Sequence, residues 1–233
     1  VQATIKVDGA KHHHLRNVLR LKAADLVILF NGQGGEYPAE VTSITKQATC
    51  ITALGYNPVD REAALYTCLL LGILKRDAMI NALQRATELG VSKIIPVQTQ
   101  HLSEKRAQLA GRWDAWRAVI EHASEQCGRT RLPELDPLTA FAEAVSKVQN
   151  TEFDLRLLAH LGAKKSAAAA VKRPQRIALV IGPEGGFSDP EVALAEANGF
   201  SAYTMGSRIL RAETAPAALL AHLQTRFGEF ADC

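Results

Sequence analysis

A chain of 233 residues, 47% apolar and 22% charged, carries enough hydrophobic material for a substantial core. At roughly 150 residues per domain it accommodates one large domain or two smaller ones. No apolar run approaches the ~20 residues that span a bilayer, which argues against a helical membrane protein. With 27 basic against 24 acidic residues, the net charge of +3 is too small to diagnose nucleic-acid binding, yet it leaves room for one basic face.

The chain opens on Val1 with no apolar signal region or cleavage site, so a processed or truncated start and a cytoplasmic location are expected. Cys50, Cys68, Cys127 and Cys233 form no C-x-x-C pair. Free thiols are expected, not a disulfide framework or a zinc cluster.

In chain order, Leu15, Val18 and Leu19 recur at helical spacing, and three segments rich in Val, Ile and Thr follow at 25–30, 36–44 and 48–54. The Asn31-Gly32-Gln33-Gly34-Gly35 connection tolerates the positive φ of a hairpin loop, so residues 1–58 predict a small antiparallel barrel. Asn57-Pro58-Val59-Asp60 marks a linker, and residues 59–233 are expected to form a second domain.

There the pattern becomes α/β. The near-continuous apolar run 65–73 predicts a strand buried on both faces of a parallel sheet, followed by a helix over 77–89 that Gly90 ends. A strand at 94–97 precedes a helix over 107–127 with Trp116, Val119, Ile120 and Ala123 as its apolar stripe, and a shorter helix covers 138–147. Strands at 153–159, 176–181 and 200–205 come next. Ser188-Asp189-Pro190-Glu191 opens a capped helix that Gly199 ends, and a final helix runs over 213–227.

Two loops carry the chemistry. Gly182-Pro183-Glu184-Gly185-Gly186-Phe187 lies between a buried strand and a capped helix, where three glycines allow close backbone approach to a flat ligand. Taken alone, it is equally a tight strand-to-helix turn. The second loop, Met205 to Thr214, gathers Arg208, Arg211, Glu213 and a hydroxyl before the last helix; alone, it is a helix start with solvated arginines. Neither loop follows G-x-G-x-x-G or G-x-x-x-x-G-K-[ST], so dinucleotide and triphosphate sites lose support. His160, at another strand end, is by itself more often a satisfied polar residue than a catalyst.

The segments IGPEGGFSDPE and MGSRILRAETA, with RATELGVSKIIPV at 85–97 and HHHLRNVLRLK at 12–22, resemble the ribosomal small-subunit methyltransferase E family over nearly the whole chain. The resemblance implies a PUA-like β-barrel RNA-binding domain followed by an α/β SPOUT methyltransferase domain with a trefoil knot, a fold that connection rules would not have suggested. It also implies a homodimer, S-adenosylmethionine as cofactor, and methylation of N3 of a uridine in 16S rRNA of the small ribosomal subunit. Carried over residue by residue, the cofactor pocket uses Leu158, His160, Ile181, Gly182, Gly186, Met205, Gly206 and Leu210. Against the family pattern, Ala23-Ala24 replaces Pro-Gly, Gln100-His101-Leu102-Ser103 replaces a Glu-Arg-Ser run, and the opening strand is expected to be partly missing.

Methylating an imide nitrogen requires removing its proton or stabilising the resulting anion. Arg211 is the candidate for the oxyanion; Glu213 either orients it or accepts the proton. Glu184 is expected to cap the following helix. Lys11, Arg16, Arg20 and Lys22 flank the first apolar stripe and, with Arg129 and Arg131, make a candidate RNA track. No metal is expected, since adjacent side chains such as His12, His13 and His14 diverge. The competing readings are a nucleotide-dependent oxidoreductase or transferase on a doubly wound sheet, and a non-catalytic RNA-binding assembly factor.

Overall fold

The structure, a computed structural model, describes residues 3–102, 109, 111–160 and 172–231. The chain separates into two compact units: Val1–Glu62 with Gly128–Arg131, and Ala63–Cys127 with Leu132–Cys233.

In the first unit β1 (Thr4–Val7), β2 (Leu26–Leu29), β3 (Tyr37–Ile44) and β4 (Thr49–Ala53) form one antiparallel sheet in the order β1-β4-β3-β2. The expected barrel is thus represented, among the described residues, by a four-stranded sheet with β1 and β2 at its edges. Strand β1 pairs Thr4 with Thr52 through Val7 with Thr49. Period-two alternation sends Ala39, Val41 and Ile51 into a small core with Val27 and Leu29. Between β1 and β2 the helix α1 (Gly9–His13) widens into a π-helical turn, His14–Val18.

Segment Gly128–Arg131 belongs to this unit because backbone and side chains tie it there. Gly34 N–H donates to Thr130 O at 3.0 Å, Arg61 Nη1 donates to Gly128 O at 3.2 Å, and the Arg129 guanidinium is paired with the Glu62 carboxylate.

The second unit is a parallel seven-stranded sheet, β11-β9-β10-β5-β6-β7, with β8 also paired to β6. Its strands are β5 (Tyr66–Gly72), β6 (Lys93–Gln98), β7 (Glu134–Leu135), β8 (Thr139–Ala140), β9 (Leu155–Ala159), β10 (Arg176–Ile181) and β11 (Ser201–Tyr203). Its helices are α2 (Arg76–Glu88), α3 (Trp113–Cys127), α4 (Phe141–Gln149), α5 (Asp189–Ala197) and α6 (Thr214–Phe227). The helix expected from residue 107 is described from Trp113 onward; Ala107 lies outside the described residues, as does Cys233.

The central strands separate two hydrophobic clusters. Leu69, Leu71, Leu157 and Leu179 face Met79, Leu83, Ile120 and Leu220, while Cys68, Leu70, Leu158 and Val180 face Phe141, Val145 and Phe200. Burial on both faces is why these strands read as continuous apolar runs. The two-residue strands β7 and β8 are too short for any periodic signal. No helix among the described residues is long and apolar enough to cross a membrane.

Candidate functional site

Parallel register aligns three strand ends. Tyr203 is paired with Ala159 in β9, and Val180 of β10 with Leu158, so Ile181 ends level with them. The chain therefore leaves all three strands at one edge of the sheet, the edge where open parallel sheets bind ligands. His160 N–H extends the alignment by donating to Tyr203 O at 3.1 Å.

The two chemistry-bearing loops converge here. One cleft of about 720 Å³ is lined by Ile181 to Glu184, Gly186 and Phe187 from the first loop, and by Met205 and Arg208 to Glu213 from the second. Ala159, His160, Tyr203, Thr204, Ala215, Leu219 and, from the chain after β5, Lys75 and Ala78 complete it.

Glycine is required at specific places. A Cβ on Gly72, at the end of β5, would lie 2.6 Å from both Cδ and N of Pro183, so only glycine lets the neighbouring turn pack against that strand. Gly186 and Gly206 have φ of +69° and +79° with open space where a Cβ would stand.

The acidic residues of the glycine loop tie it to its neighbours. Glu184 Oε1 accepts the Lys75 N–H at 3.1 Å, at the start of α2. The sequence assigns Glu184 to capping the following helix, but Ser188 and Glu191 cap it instead. They form a capping box on α5, with Ser188 N–H donating to Glu191 Oε2 at 2.9 Å.

Of the expected cofactor residues, His160, Ile181, Gly182, Gly186, Met205 and Leu210 line the cleft. Leu158 does not: its side chain is fully buried in the opposite cluster, since neighbouring strand residues face opposite sides, and Ala159 stands in the wall instead. Gly206 lies outside the lining; it turns the second loop, and its carbonyl accepts Thr204 Oγ1–H at 3.0 Å. Arg211 is 86% exposed and Glu213 21%, with 3.9 Å between Nη1 and Oε1, a long and solvent-screened ion pair. Lys75, Ala78 and Tyr203 were missed by sequence reasoning. Two adjacent cations, Lys75 and Arg76, placed against the dipole of α2, were the available signal.

The residues fit S-adenosylmethionine. Ile181, Tyr203, Leu210 and Leu219 supply apolar walls for an adenosine, the glycine turns leave backbone within reach, and the cleft size suits a ligand of that class.

In the first unit Lys11, Arg16, Arg20 and Lys22 are exposed, and Arg20 holds a left-handed φ of +55° just beyond the π-helical turn. Arg131 is 54% exposed. Arg129 does not belong with them: it is 6% exposed, and its Nε donates to Glu62 Oε1 at 3.1 Å, so its charge is committed within the fold. His12 is buried with Nδ1 2.9 Å from Thr49 Oγ1, while His13 accepts from Asn17 Nδ2 at 2.8 Å. Among the described residues no cluster of three or more His, Cys, Asp or Glu side chains is placed to hold a metal.

Residues 61–224 match the RNA methyltransferase domain family and residues 7–52 the RNA methyltransferase PUA domain family. The chain is 30% identical over 226 residues to the Ribosomal RNA small subunit methyltransferase E of Synechocystis sp., covering 96% of this chain and 73% of that protein. Among solved structures it is similar to a putative methyltransferase of Legionella pneumophila in complex with the bound cofactor SAM (TM-score 0.91, 31% identity, 98% of this chain and 94% of that one). It is also similar to a Ribosomal RNA small subunit methyltransferase E of Neisseria gonorrhoeae bound to S-adenosyl methionine (TM-score 0.88, 32% identity, 99% and 94%).

Proposed function

The chain belongs to the ribosomal RNA small subunit methyltransferase E family, and we propose that it methylates N3 of a uridine in 16S rRNA, uridine 1498 in the usual numbering. The cofactor is S-adenosylmethionine, and the enzyme is a methyltransferase of small-subunit ribosomal RNA. The observation that carries the reading is the convergence of residues 181–187 and 205–213 on one cleft with apolar walls and a cationic edge.

When bound, the cofactor supplies an electrophilic methyl group on a sulfonium that is also its own leaving group. The chain's residues align and neutralise. Ile181, Leu210 and Leu219 exclude water from the adenosine side of the cleft. The uracil imide carries a proton at neutral pH, so Arg211 stabilises negative charge on the base oxygen while Glu213 orients that guanidinium or takes the proton. The 3.9 Å pairing of the two supports these roles, because it sets the exposed guanidinium beside the carboxylate at the cleft.

Exposed Lys11, Arg16, Arg20, Lys22 and Arg131 hold rRNA phosphates, giving an affinity that falls with salt. The proposal extends to a homodimer acting in the cytoplasm on the small ribosomal subunit, and to a knotted SPOUT core.

The test is incubation of the protein with methyl-labelled cofactor and small ribosomal subunits, alongside subunits carrying cytidine at the target position. Label should enter only the first, as 3-methyluridine. Equal labelling of both would refute the target, and labelling of neither would refute the activity.

A further inference from the structure

We propose that Lys75 is a substrate-contact residue, holding a phosphodiester that flanks the target nucleotide as the base enters the cleft. This rests on the RNA methyltransferase reading above and names how the same site grips its substrate.

Lys75 stands between β5 and α2 and lines the cleft. Its backbone is pinned, since its N–H donates to Glu184 Oε1 at 3.1 Å, yet its ammonium makes no ion pair or hydrogen bond among the described residues. Lys75 and Arg76 stand together at the positive end of α2, where Asp77 in the first turn and the Glu184 carboxylate are the anions. The exposed Lys75 ammonium is open to an anion that arrives from outside.

The charges around the cleft say which anion. Deep lining residues such as Ile181 and Tyr203 are buried, whereas Lys75, Arg208 and Arg211 are exposed. The lining sets three cations, Lys75, Arg208 and Arg211, against two carboxylates, Glu184 and Glu213, so the exposed edge keeps a net positive charge. An enzyme acting on an atom of a paired or stacked base must take that base out of its stack, which leaves the flanking phosphates outside the pocket that receives it. Cations at the exposed edge over an apolar interior match that division, with phosphate contacts positioning the base that the interior reads. The cofactor's carboxylate is the competing anion, and it carries its own ammonium two bonds away.

The variants are Lys75→Met, which keeps the apolar stem, and Lys75→Arg. Three quantities are measured: cofactor Kd by calorimetry, equilibrium affinity for small ribosomal subunits from low to moderate salt, and steady-state KM. For Lys75→Met the expectation is a cofactor Kd within about twofold, subunit affinity and KM weakened about three- to tenfold, and a salt slope shallower by about one. Lys75→Arg should recover most of the loss.

A weakened cofactor Kd with an unchanged salt slope would assign Lys75 to the cofactor carboxylate and overturn the proposal, as would no change in any of the three. Wild-type protein that fails to label subunits refutes the parent reading instead. The salt slope of subunit binding is read without turnover, so the two failures are distinguishable.

Discussion

Glu191 binds two loops with one carboxylate. Its Oε1 accepts the Gln100 N–H at 2.7 Å while its Oε2 accepts Ser188 N–H at 2.9 Å, so the start of α5 is joined to the chain just beyond β6. Gly185 packs there too: a Cβ on it would lie 3.2 Å from His101 Cβ. Glu191→Ala removes the capping box and the joint together. It should lower unfolding free energy by about 1–2 kcal/mol and raise the cofactor Kd several-fold. Glu191→Gln, which keeps one acceptor oxygen, should fall between. Chemical denaturation and calorimetric titration measure the two effects, and wild-type cofactor affinity in the alanine variant would show that the joint does not shape the cleft.

Gly72→Ala places a methyl 2.6 Å from the backbone nitrogen of Pro183, which cannot rotate away. The glycine turn must shift, at a cost of about 1–3 kcal/mol in stability and a clear loss of cofactor affinity. Gly206→Ala meets nothing within 4 Å and carries only left-handed strain at φ +79°, about 1–2 kcal/mol. Comparing both quantities for the two variants separates steric from conformational demand.

Arg211→Ala should reduce turnover by about 100-fold with cofactor Kd changed by less than about threefold, because the side chain is 86% exposed at the cleft and its work concerns the base. Single-turnover kinetics with saturating cofactor gives the rate, and an unchanged rate rejects the assignment.

Burial in β5 pushes the Cys68 thiol up to about 12, the nearby Lys93 ammonium opposing this. The native state thus keeps its proton while the unfolded chain releases it near pH 9. Stability from this group is complete below about pH 9 and is lost as pH rises toward 12, at up to about 1.4 kcal/mol per unit. Urea unfolding at a series of alkaline pH values should show this slope in the wild type and a shallower one in Cys68→Ala; identical slopes would exclude the thiol as its source.

The pair Arg129–Glu62 predicts a stability phenotype where the sequence suggested an RNA contact. Arg129→Ala leaves a largely buried carboxylate unpaired, at a cost of about 3 kcal/mol. Arg131→Ala, at a 54% exposed side chain, should cost under about 0.5 kcal/mol while reducing the salt dependence of RNA binding. Melting curves and salt titrations of both variants distinguish the two arginines.

Much of the architecture is legible in local pattern. Strand β10 coincides with the reading at Arg176–Ile181, and Ser188 with Glu191 announces α5, because a capping box is a hydrogen-bond pattern completed within four residues. The edge strand β1 is not legible in this way: its short exposed run of Thr, Ile and Lys is stabilised by β4, some 45 residues away. The cleft was read in part. His160, Ile181, Gly182 and Leu210 were reachable through motifs, whereas the direction of the Leu158 side chain, toward the far side of the sheet, was not.

Residue order alone determined where the buried strands and the capped helices fall and which two loops hold glycine, arginine and carboxylate, since these follow from short-range sterics and capping. Tertiary structure decided which loops meet. Parallel register brings Ile181, Ala159 and Tyr203 level at one sheet edge, packing adds Lys75 to the same cleft, and a separate long-range pairing commits Arg129 to Glu62. Such pairings join positions tens of residues apart, so no local window of sequence contains them.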